Sequence, residues 1–228
     1  DWDLNSEPLL TFGPTDASDR LSIIPLRDKL IAQKDGNLSV NDEPTAMLKA
    51  HRSLDDWGRV DKDHPWGPVN KWGPDTVLVE DSLTAMGDAA LNTVLFLNNR
   101  TDTSTRDMDW GGAMRMQDRY LAWLAGPDFH CHLIVTAHLN MIGPKTERAD
   151  KNDDADLVKA KTAISLANAE NMPTRYYPTA LGRALPQEIL RRVPASVLVE
   201  QADGKRWIYT SPPADMPIDI GVPMKNVK

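Results

Sequence analysis

Two stretches of this 228-residue sequence place polar side chains directly after an apolar run with strand propensity. In "TVLVEDS" the run Thr76–Val79 leads to Asp81 and Ser82, and in "LIVTAHLN" a second run leads to His138. In α/β proteins, ligands collect at the carboxyl ends of parallel strands. An aspartate in that position can hold the water shell of Mg²⁺ beside the phosphates of a nucleotide. These residues therefore predict a nucleotide–magnesium site.

The same residues have other interpretations. Asp and Ser are both common helix caps, and the sequence predicts a helix from about Leu83 to Leu97 directly after them. Glu80 is an alternative carboxylate for the site. Ser82 together with a histidine also suggests a serine hydrolase, although the G-x-S-x-G elbow of that class is missing. The residues alone leave these alternatives open.

A metal site is also suggested by the cluster His130, Cys131 and His132. Strand alternation sends the two histidines to one face and the cysteine to the other, which disfavours a three-ligand site. Cys131 is the single cysteine of the chain. It excludes an internal disulfide and fits a reducing compartment, so we expect a cytoplasmic protein.

The composition is that of a soluble globular protein, with 41% hydrophobic and 26% charged residues. No apolar run approaches the roughly 20 residues of a membrane span, so we expect no membrane association. The formal net charge of −7 argues against a generally basic nucleic-acid-binding surface. It leaves room for a local basic patch.

Strand and helix patterns alternate along the chain, which predicts an α/β sandwich around a largely parallel sheet. Near the end, "ASVLVEQADGKRWIYTSP" predicts an antiparallel hairpin that turns at Asp203-Gly204. Residues 140–172 are mostly charged or small, and we expect them to be a mobile loop or a weak helix inserted into a single domain over 1–228.

The order of segments resembles a known family. "VLVEDSLTAM", "WGGAMRMQDRYLAWLAGPDFHCHLIVTAHL", "YPTALGRALPQEILRRVPASVLVEQADGKRWIYTSP" and "MKNVK" are similar to the phage AAA-type, RecA-like P-loop ATPases, including the Sak-type proteins that assist single-strand annealing and recombination. The resemblance covers most of residues 20–228. It implies a RecA-like three-layer sandwich around a mostly parallel sheet, with a C-terminal antiparallel hairpin. It also implies a homo-oligomer that uses ATP and Mg²⁺ on single-stranded DNA, in the bacterial host cytoplasm if the protein is viral.

The resemblance assigns roles to individual positions. Asp81 matches the Walker B aspartate that holds Mg²⁺ through water, and Ser82 lies beside it in the nucleotide site. His138 matches a polar sensor of the γ-phosphate. Lys225 matches a basic residue presented across a subunit interface. Asp3, in "DWDLN", matches an acidic strand end near the attacking water.

The same resemblance places single-stranded DNA at the loop 140–172, with Lys145, Arg148 and Lys151 as its contacts. Acidic and basic residues are balanced in this loop, which is unusual for a DNA-binding segment.

One family motif is missing, because G-x-x-x-x-G-K-[ST] occurs nowhere in the sequence and "GPKTER" at 143–148 has the wrong spacing. The opening "DWDLNSEPLL" is typical of the exit of a core strand, so we expect the P-loop to lie upstream of Asp1. The alternative is a non-catalytic RecA-like scaffold or interaction module without a P-loop.

Overall fold

The structure is a computed structural model that describes most of the chain. The described residues are 1–2, 20–32, 38–40, 43–100, 105–142, 156–161, 175–182, 185–202, 204–213 and 218. They group into two compact units. The first unit comprises 1–138 and 179–185, and the second comprises 139–178 and 186–228.

The first unit contains most of the helices. Its elements are β1 (Leu30–Ala32), β2 (Leu38–Val40), α1 (Ala46–Asp55), β3 (Val77–Glu80), α2 (Leu83–Leu97), α3 (Asp107–Leu124) and β4 (His132–Val135). Two short 3-10 helices, Trp57–Arg59 and Val69–Lys71, lie in the segment between α1 and β3. The helix predicted at Leu83–Leu97 is thus confirmed.

The second unit consists mainly of antiparallel strand pairs. Its strands are β5 (Leu139–Ile142), β6 (Arg175–Pro178), β7 (Leu198–Ala202) and β8 (Lys205–Tyr209), and residues 156–161 are helical. Helix α4 (Leu185–Arg192) begins at the last residue assigned to the first unit. The hairpin of β7 and β8 is present as the sequence predicts.

The central feature of the first unit is a parallel pair of strands joined by two helices. Val77 of β3 lies opposite His132 of β4, and Glu80 lies opposite Val135. Helices α2 and α3 connect the strands and pack against each other. The two strands that the sequence marks as most apolar are therefore neighbours, with their carboxyl ends at the same edge.

The predicted three-layer sandwich around a mostly parallel sheet is wrong. The described strands form four separate two-stranded sheets, and three of these are antiparallel. Val77, Val79 and Ile134 on β3 and β4 are exposed at 49%, 49% and 51%, so the described residues leave one face of the parallel pair uncovered. The alternation of strand and helix patterns predicted a largely parallel sheet, but among the described strands only β3 and β4 pair in parallel, and every other strand pairs antiparallel with its neighbour along the chain.

The helices pack through faces of helical spacing. In α3 the buried residues Ala113, Gln117, Tyr120 and Leu124 recur every three or four positions. The buried side-chain amide of Gln117 makes two hydrogen bonds. Its Nε2 donates to the carbonyl of Leu83 at 2.7 Å, and its Oε1 accepts from the Leu181 N–H at 3.1 Å. This amide ties the middle of α3 to the start of α2.

A buried acid closes the turn between α2 and α3. The Asp109 carboxylate accepts hydrogen bonds from Arg100 at 2.5 Å, from the Asn98 amide at 2.7 Å and from the Arg106 backbone N–H at 2.9 Å. Burial raises the pKa of Asp109, but these hydrogen bonds and the Arg100 charge outweigh it and hold the pKa below its ordinary value. The Asp109 carboxylate in α3 therefore links this helix to the residues that follow α2, through hydrogen bonds and an ion pair.

A second buried acid, Glu80, anchors the end of β3. Its Oε2 accepts from the Trp2 indole Nε1 at 2.8 Å, and its Oε1 accepts from the Tyr120 hydroxyl at 3.0 Å. Trp2 and Tyr120 also meet edge to face, with ring centroids 6.4 Å apart. Burial raises the pKa of Glu80, and the hydrogen bonds from Trp2 and Tyr120 offset only part of that effect.

Replacing Asp109 by Asn should destabilise the protein, because Arg100 then loses its buried anionic partner. We expect the Tm to fall by roughly 5 °C or more at neutral pH. Because the pKa of Asp109 is lowered in the folded state, its stabilisation is present above the ordinary Asp pKa and is lost as pH falls through the folded-state value. Thermal unfolding from pH about 7 down to about 3 should show a steeper acid loss in the wild type than in D109N. Equal slopes of Tm against pH in the two proteins would contradict a stabilising role of the Asp109 charge.

Glu80→Gln should have the opposite pH dependence. A raised pKa makes the contribution of Glu80 complete below the ordinary Glu pKa and diminishes it as pH rises through the folded-state value. The stability of the wild type relative to E80Q should therefore decline as the pH rises above about 4, the ordinary value for Glu, as measured by urea unfolding. The exposed Glu200→Gln is the matched control and should show no such trend. A constant difference between wild type and E80Q would show that Glu80 does not change its charge state in this range.

Candidate functional site

The carboxyl ends of β3 and β4 are joined by hydrogen bonds centred on Thr136. The Thr136 N–H donates to the Glu80 carbonyl at 3.0 Å, and the Thr136 carbonyl accepts from the Leu83 N–H at 2.9 Å. The turn from β3 into α2 is thereby attached to the end of β4. Asp81 and Ser82, the residues between these two bonds, are held at the shared edge.

Asp81 is half-buried at this edge, and its carboxylate accepts a hydrogen bond from the Thr136 hydroxyl through Oδ1. Its backbone carbonyl accepts from the Trp2 N–H at 2.5 Å. Among the described residues, Oδ2 of Asp81 has no hydrogen-bond partner. The protein thus orients the Asp81 carboxylate through one of its two oxygens.

Ser82 is the residue that precedes α2, but its side chain does not cap the helix. Its hydroxyl is buried, with 3% of the residue exposed, and Oγ has no hydrogen-bond partner in the described part of the chain. An unpaired buried polar group costs about 1–3 kcal/mol and is a reason to suspect a functional role. Because the Ser82 side chain makes no hydrogen bond to the first turn of α2, the helix-cap interpretation of Ser82 is wrong.

His138 lies just beyond the end of β4 and is exposed. Its Nδ1 lies 3.2 Å from the hydroxyl of Thr84, and its backbone carbonyl accepts from the Thr179 N–H at 2.6 Å. His138 pairs with Thr84 rather than with Ser82, so the described residues do not form a serine–histidine catalytic pair. The ring of His138 is thus held at the first turn of α2, and its backbone is held by Thr179.

Thr84 belongs to the site although the sequence analysis did not select it. It lies three residues after Asp81, in the first turn of α2, which brings its side chain to the same edge as Asp81. The spacing in "DSLT" does not indicate this by itself, since Leu83 lies in the same turn and is buried. Without the position of β4, nothing linked Thr84 to His138.

Glu80 does not face the site. Strand β3 alternates between exposed and buried residues, and Glu80 is on the buried side with Leu78. Its carboxylate is occupied by Trp2 and Tyr120. Asp81 is therefore the carboxylate at the edge, and the alternative assignment to Glu80 is wrong.

Five of the predicted site residues lie outside the described residues, namely Asp3, Lys145, Arg148, Lys151 and Lys225. The structure therefore leaves the assignments of Asp3, of the trans-acting lysine and of the DNA contacts as predictions. The loop 140–172 is described only at 140–142, which belong to β5, and at the helical residues 156–161.

Metal binding by protein ligands alone has no support in the described part of the chain. There, no group of three His, Cys, Asp or Glu side chains could hold a metal ion. Burial raises the pKa of the Cys131 thiol, which makes it a poorer metal ligand and nucleophile. The donor set at the β3–β4 edge, one carboxylate flanked by hydroxyls, fits Mg²⁺, which keeps several waters and usually takes one or two carboxylates plus substrate phosphates.

Two further observations bear on partners and identity. Within the residues that the structure describes, no helix is long and apolar enough to cross a membrane. No protein-family model, curated protein or solved structure matches this chain.

Proposed function

We propose that the carboxyl ends of β3 and β4 form the magnesium side of an ATP site, and that the protein hydrolyses ATP while acting on single-stranded DNA in phage recombination or replication. The observation that carries the proposal is the meeting of Asp81 and Thr136 at the ends of two parallel strands, beside the unpaired Ser82 hydroxyl. Such edges are where α/β proteins bind their ligands.

Asp81 and Thr136 have different roles at this edge. Thr136 donates its hydroxyl hydrogen to Oδ1 of Asp81, so the carboxylate is fixed before any ligand arrives. Oδ2 is then free to accept hydrogen bonds from the waters of a hydrated cation. When bound, Mg²⁺ neutralises the negative charge that develops on the phosphate oxygens.

His138 and Thr84 supply a second contact. With Nδ1 directed at the Thr84 hydroxyl, Nε2 is the ring nitrogen left for a ligand. If Thr84 donates to Nδ1, the neutral ring carries its hydrogen on Nε2 and can donate it to a phosphate oxygen. This arrangement suits the sensor role that the family resemblance assigns to His138.

The remaining parts of the proposal rest on the resemblance to Sak-type ATPases. That resemblance supports the choice of ATP, the DNA partner and a homo-oligomer, with Asp3 near the attacking water and Lys225 acting from a neighbouring subunit. Residues 1–228 contain no G-x-x-x-x-G-K-[ST] sequence. Within these residues, the phosphates of ATP are therefore not held by that motif.

The second candidate function is a non-catalytic scaffold or interaction module. Two observations favour it, namely the missing phosphate-binding motif and the uncovered apolar face of β3 and β4 at Val77, Val79 and Ile134. A scaffold would use this face to bind a protein and would show no dependence on Asp81.

Asp81→Asn should abolish the use of Mg²⁺-ATP without unfolding the protein, because it removes the charge at Oδ2 and keeps the shape of the side chain. We expect turnover to fall by on the order of 100-fold or more. Turnover should be measured by phosphate release, and Mg²⁺-ATP binding by calorimetry. Asp75→Asn is the control, since Asp75 is exposed and precedes the amino end of β3. Undiminished turnover in D81N would reject the assignment, and a wild-type protein that binds no Mg²⁺-ATP would favour the scaffold.

Thr136→Val should weaken Mg²⁺-ATP binding about 10-fold, since Asp81 loses the hydroxyl that orients it and one hydrogen bond of this kind is worth about 1–2 kcal/mol. Thr136→Ser restores the hydroxyl and should restore the affinity. Calorimetry with and without Mg²⁺ measures the effect, which should appear only when the metal is present. Equal losses with and without Mg²⁺ would indicate a general defect of the edge.

A further inference from the structure

A cavity of about 240 Å³ in the first unit is lined by Trp2, by the segment 26–28 and by one face of α2. On the helix, Ala85, Ala89 and Asn92 follow one another at intervals of four and three residues, so they share that face. A cavity of about 150 Å³ holds benzene. The volume here is therefore enough for one flat heterocyclic ring system.

Asn92 brings an oriented amide to this cavity. Its Nδ2 donates to Oδ2 of Asp28 at 3.1 Å. Because a carboxylate only accepts hydrogen bonds, the amide nitrogen must be the atom that faces it. Asp28 is buried, and its Oδ1 accepts from the backbone N–H groups of Thr45 and Ala46 at 2.8 and 2.9 Å. The start of α1 thus holds the carboxylate that orients the Asn92 amide.

The other polar groups of the Asn92 amide form a donor–acceptor pair. A side-chain amide has two N–H hydrogens and one acceptor oxygen, so one N–H and Oδ1 are left. Neither has a hydrogen-bond partner among the described residues. A donor and an acceptor on one planar amide match the edge of adenine that carries N7 and the 6-amino group, which is how asparagine recognises adenine in DNA.

Charge and shape favour a neutral ring over an anion in this cavity. Its lining contains one cation, Arg27, and two acids, Asp28 and Asp88. A phosphate inside the cavity would lie near two negative charges, which is unfavourable. The small side chains of Ala85 and Ala89 leave room for a flat ring beside α2. A base therefore suits the cavity, whereas phosphates belong outside it.

The cavity begins next to the β3–β4 edge. Ala85 is in the first turn of α2, four residues after Asp81. Trp2, on the other wall, donates its backbone N–H to the Asp81 carbonyl at 2.5 Å. Asn92 is seven residues beyond Ala85, or about 10 Å farther along the helix axis. A nucleotide whose base is bonded to Asn92 can therefore extend its phosphates towards Asp81.

We propose that this cavity binds the adenine ring of ATP. Asn92 bonds N7 and the 6-amino group, and Ala85 and Ala89 lie against the ring. The inference deepens the proposed function, and it rests on that function for the identity of the ligand as ATP. Recognition of the base requires neither Mg²⁺ nor Asp81, so adenosine alone is a sufficient probe.

The test is calorimetry of the 228-residue protein with adenosine and with inosine, in the absence of metal. Inosine has a carbonyl oxygen in place of the 6-amino group, so it would set an acceptor against Oδ1 of Asn92. We expect adenosine to bind at least about 10-fold more tightly than inosine. Asn92→Leu should remove this preference. Asn70→Leu, the same change at an exposed position, should leave it unchanged.

A second variant fills the cavity and keeps the amide. Ala89→Leu places a larger side chain where the ring would lie, without removing the hydrogen bond between Asn92 and Asp28. It should abolish adenosine binding. This variant and the preference of the wild type for adenosine test the proposal even if N92L fails to fold, which thermal unfolding would reveal.

The outcomes separate the two proposals. Equal affinity for adenosine and inosine, no binding of adenosine, or adenosine binding that survives both N92L and A89L would overturn the adenine site. Adenosine binding that depends on Asn92, without turnover of Mg²⁺-ATP, would reject the proposed ATPase and leave a site for an adenine nucleoside. Mg²⁺-ATP binding that is lost in D81N but unchanged in N92L would support the proposed function and overturn the adenine site.

Discussion

The parallel pairing of β3 with β4 is the constraint on which the candidate site depends. Thr136, at the end of β4, bonds through its backbone to Glu80 and Leu83 and through its hydroxyl to Asp81. These contacts fix the turn between β3 and α2 from outside. If β3 and β4 were apart, Asp81 and Ser82 would be ordinary residues of a strand–helix connection.

Two adjacent acids at the end of β3 have opposite roles because a strand turns successive side chains to opposite sides. Glu80 points inward and is stabilised by Trp2 and Tyr120, where burial raises its pKa. Asp81 points to the edge, with one oxygen bound by Thr136. Trp2 serves both, since its indole bonds the Glu80 side chain and its backbone N–H bonds the Asp81 carbonyl. Through Trp2, the buried Glu80 is thus linked to Asp81 at the site.

Local features of the fold could be predicted from the sequence because local patterns determine them. The apolar spacing of Leu83–Leu97 predicted α2, and the Asp203-Gly204 turn predicted the hairpin of β7 and β8. The extent of the parallel sheet could not be predicted, since two apolar strands show that a parallel pair is possible but not that further strands join it. The alternating strand and helix patterns and the family resemblance both predicted the larger sheet, and the described strands do not form it.

The site was predictable to a similar degree. Asp81, Ser82 and His138 were found from their positions after apolar runs, and the structure brings all three to one edge. Thr84 was missed because its partner His138 is 54 residues away, and the Trp2 contact of Glu80 spans 78 residues. Such pairs depend on how the strands assemble, which one sequence does not determine.

The central claim is that a metal–nucleotide complex binds beside Asp81, between the ends of β3 and β4. The most direct measurement replaces Mg²⁺ by paramagnetic Mn²⁺ in the presence of ATP and maps the broadening of the backbone amide signals of the protein. Broadening centred on residues 81–84 and 136–138, and lost in D81N, is the predicted result. Broadening centred elsewhere, or unchanged in D81N, would contradict the claim.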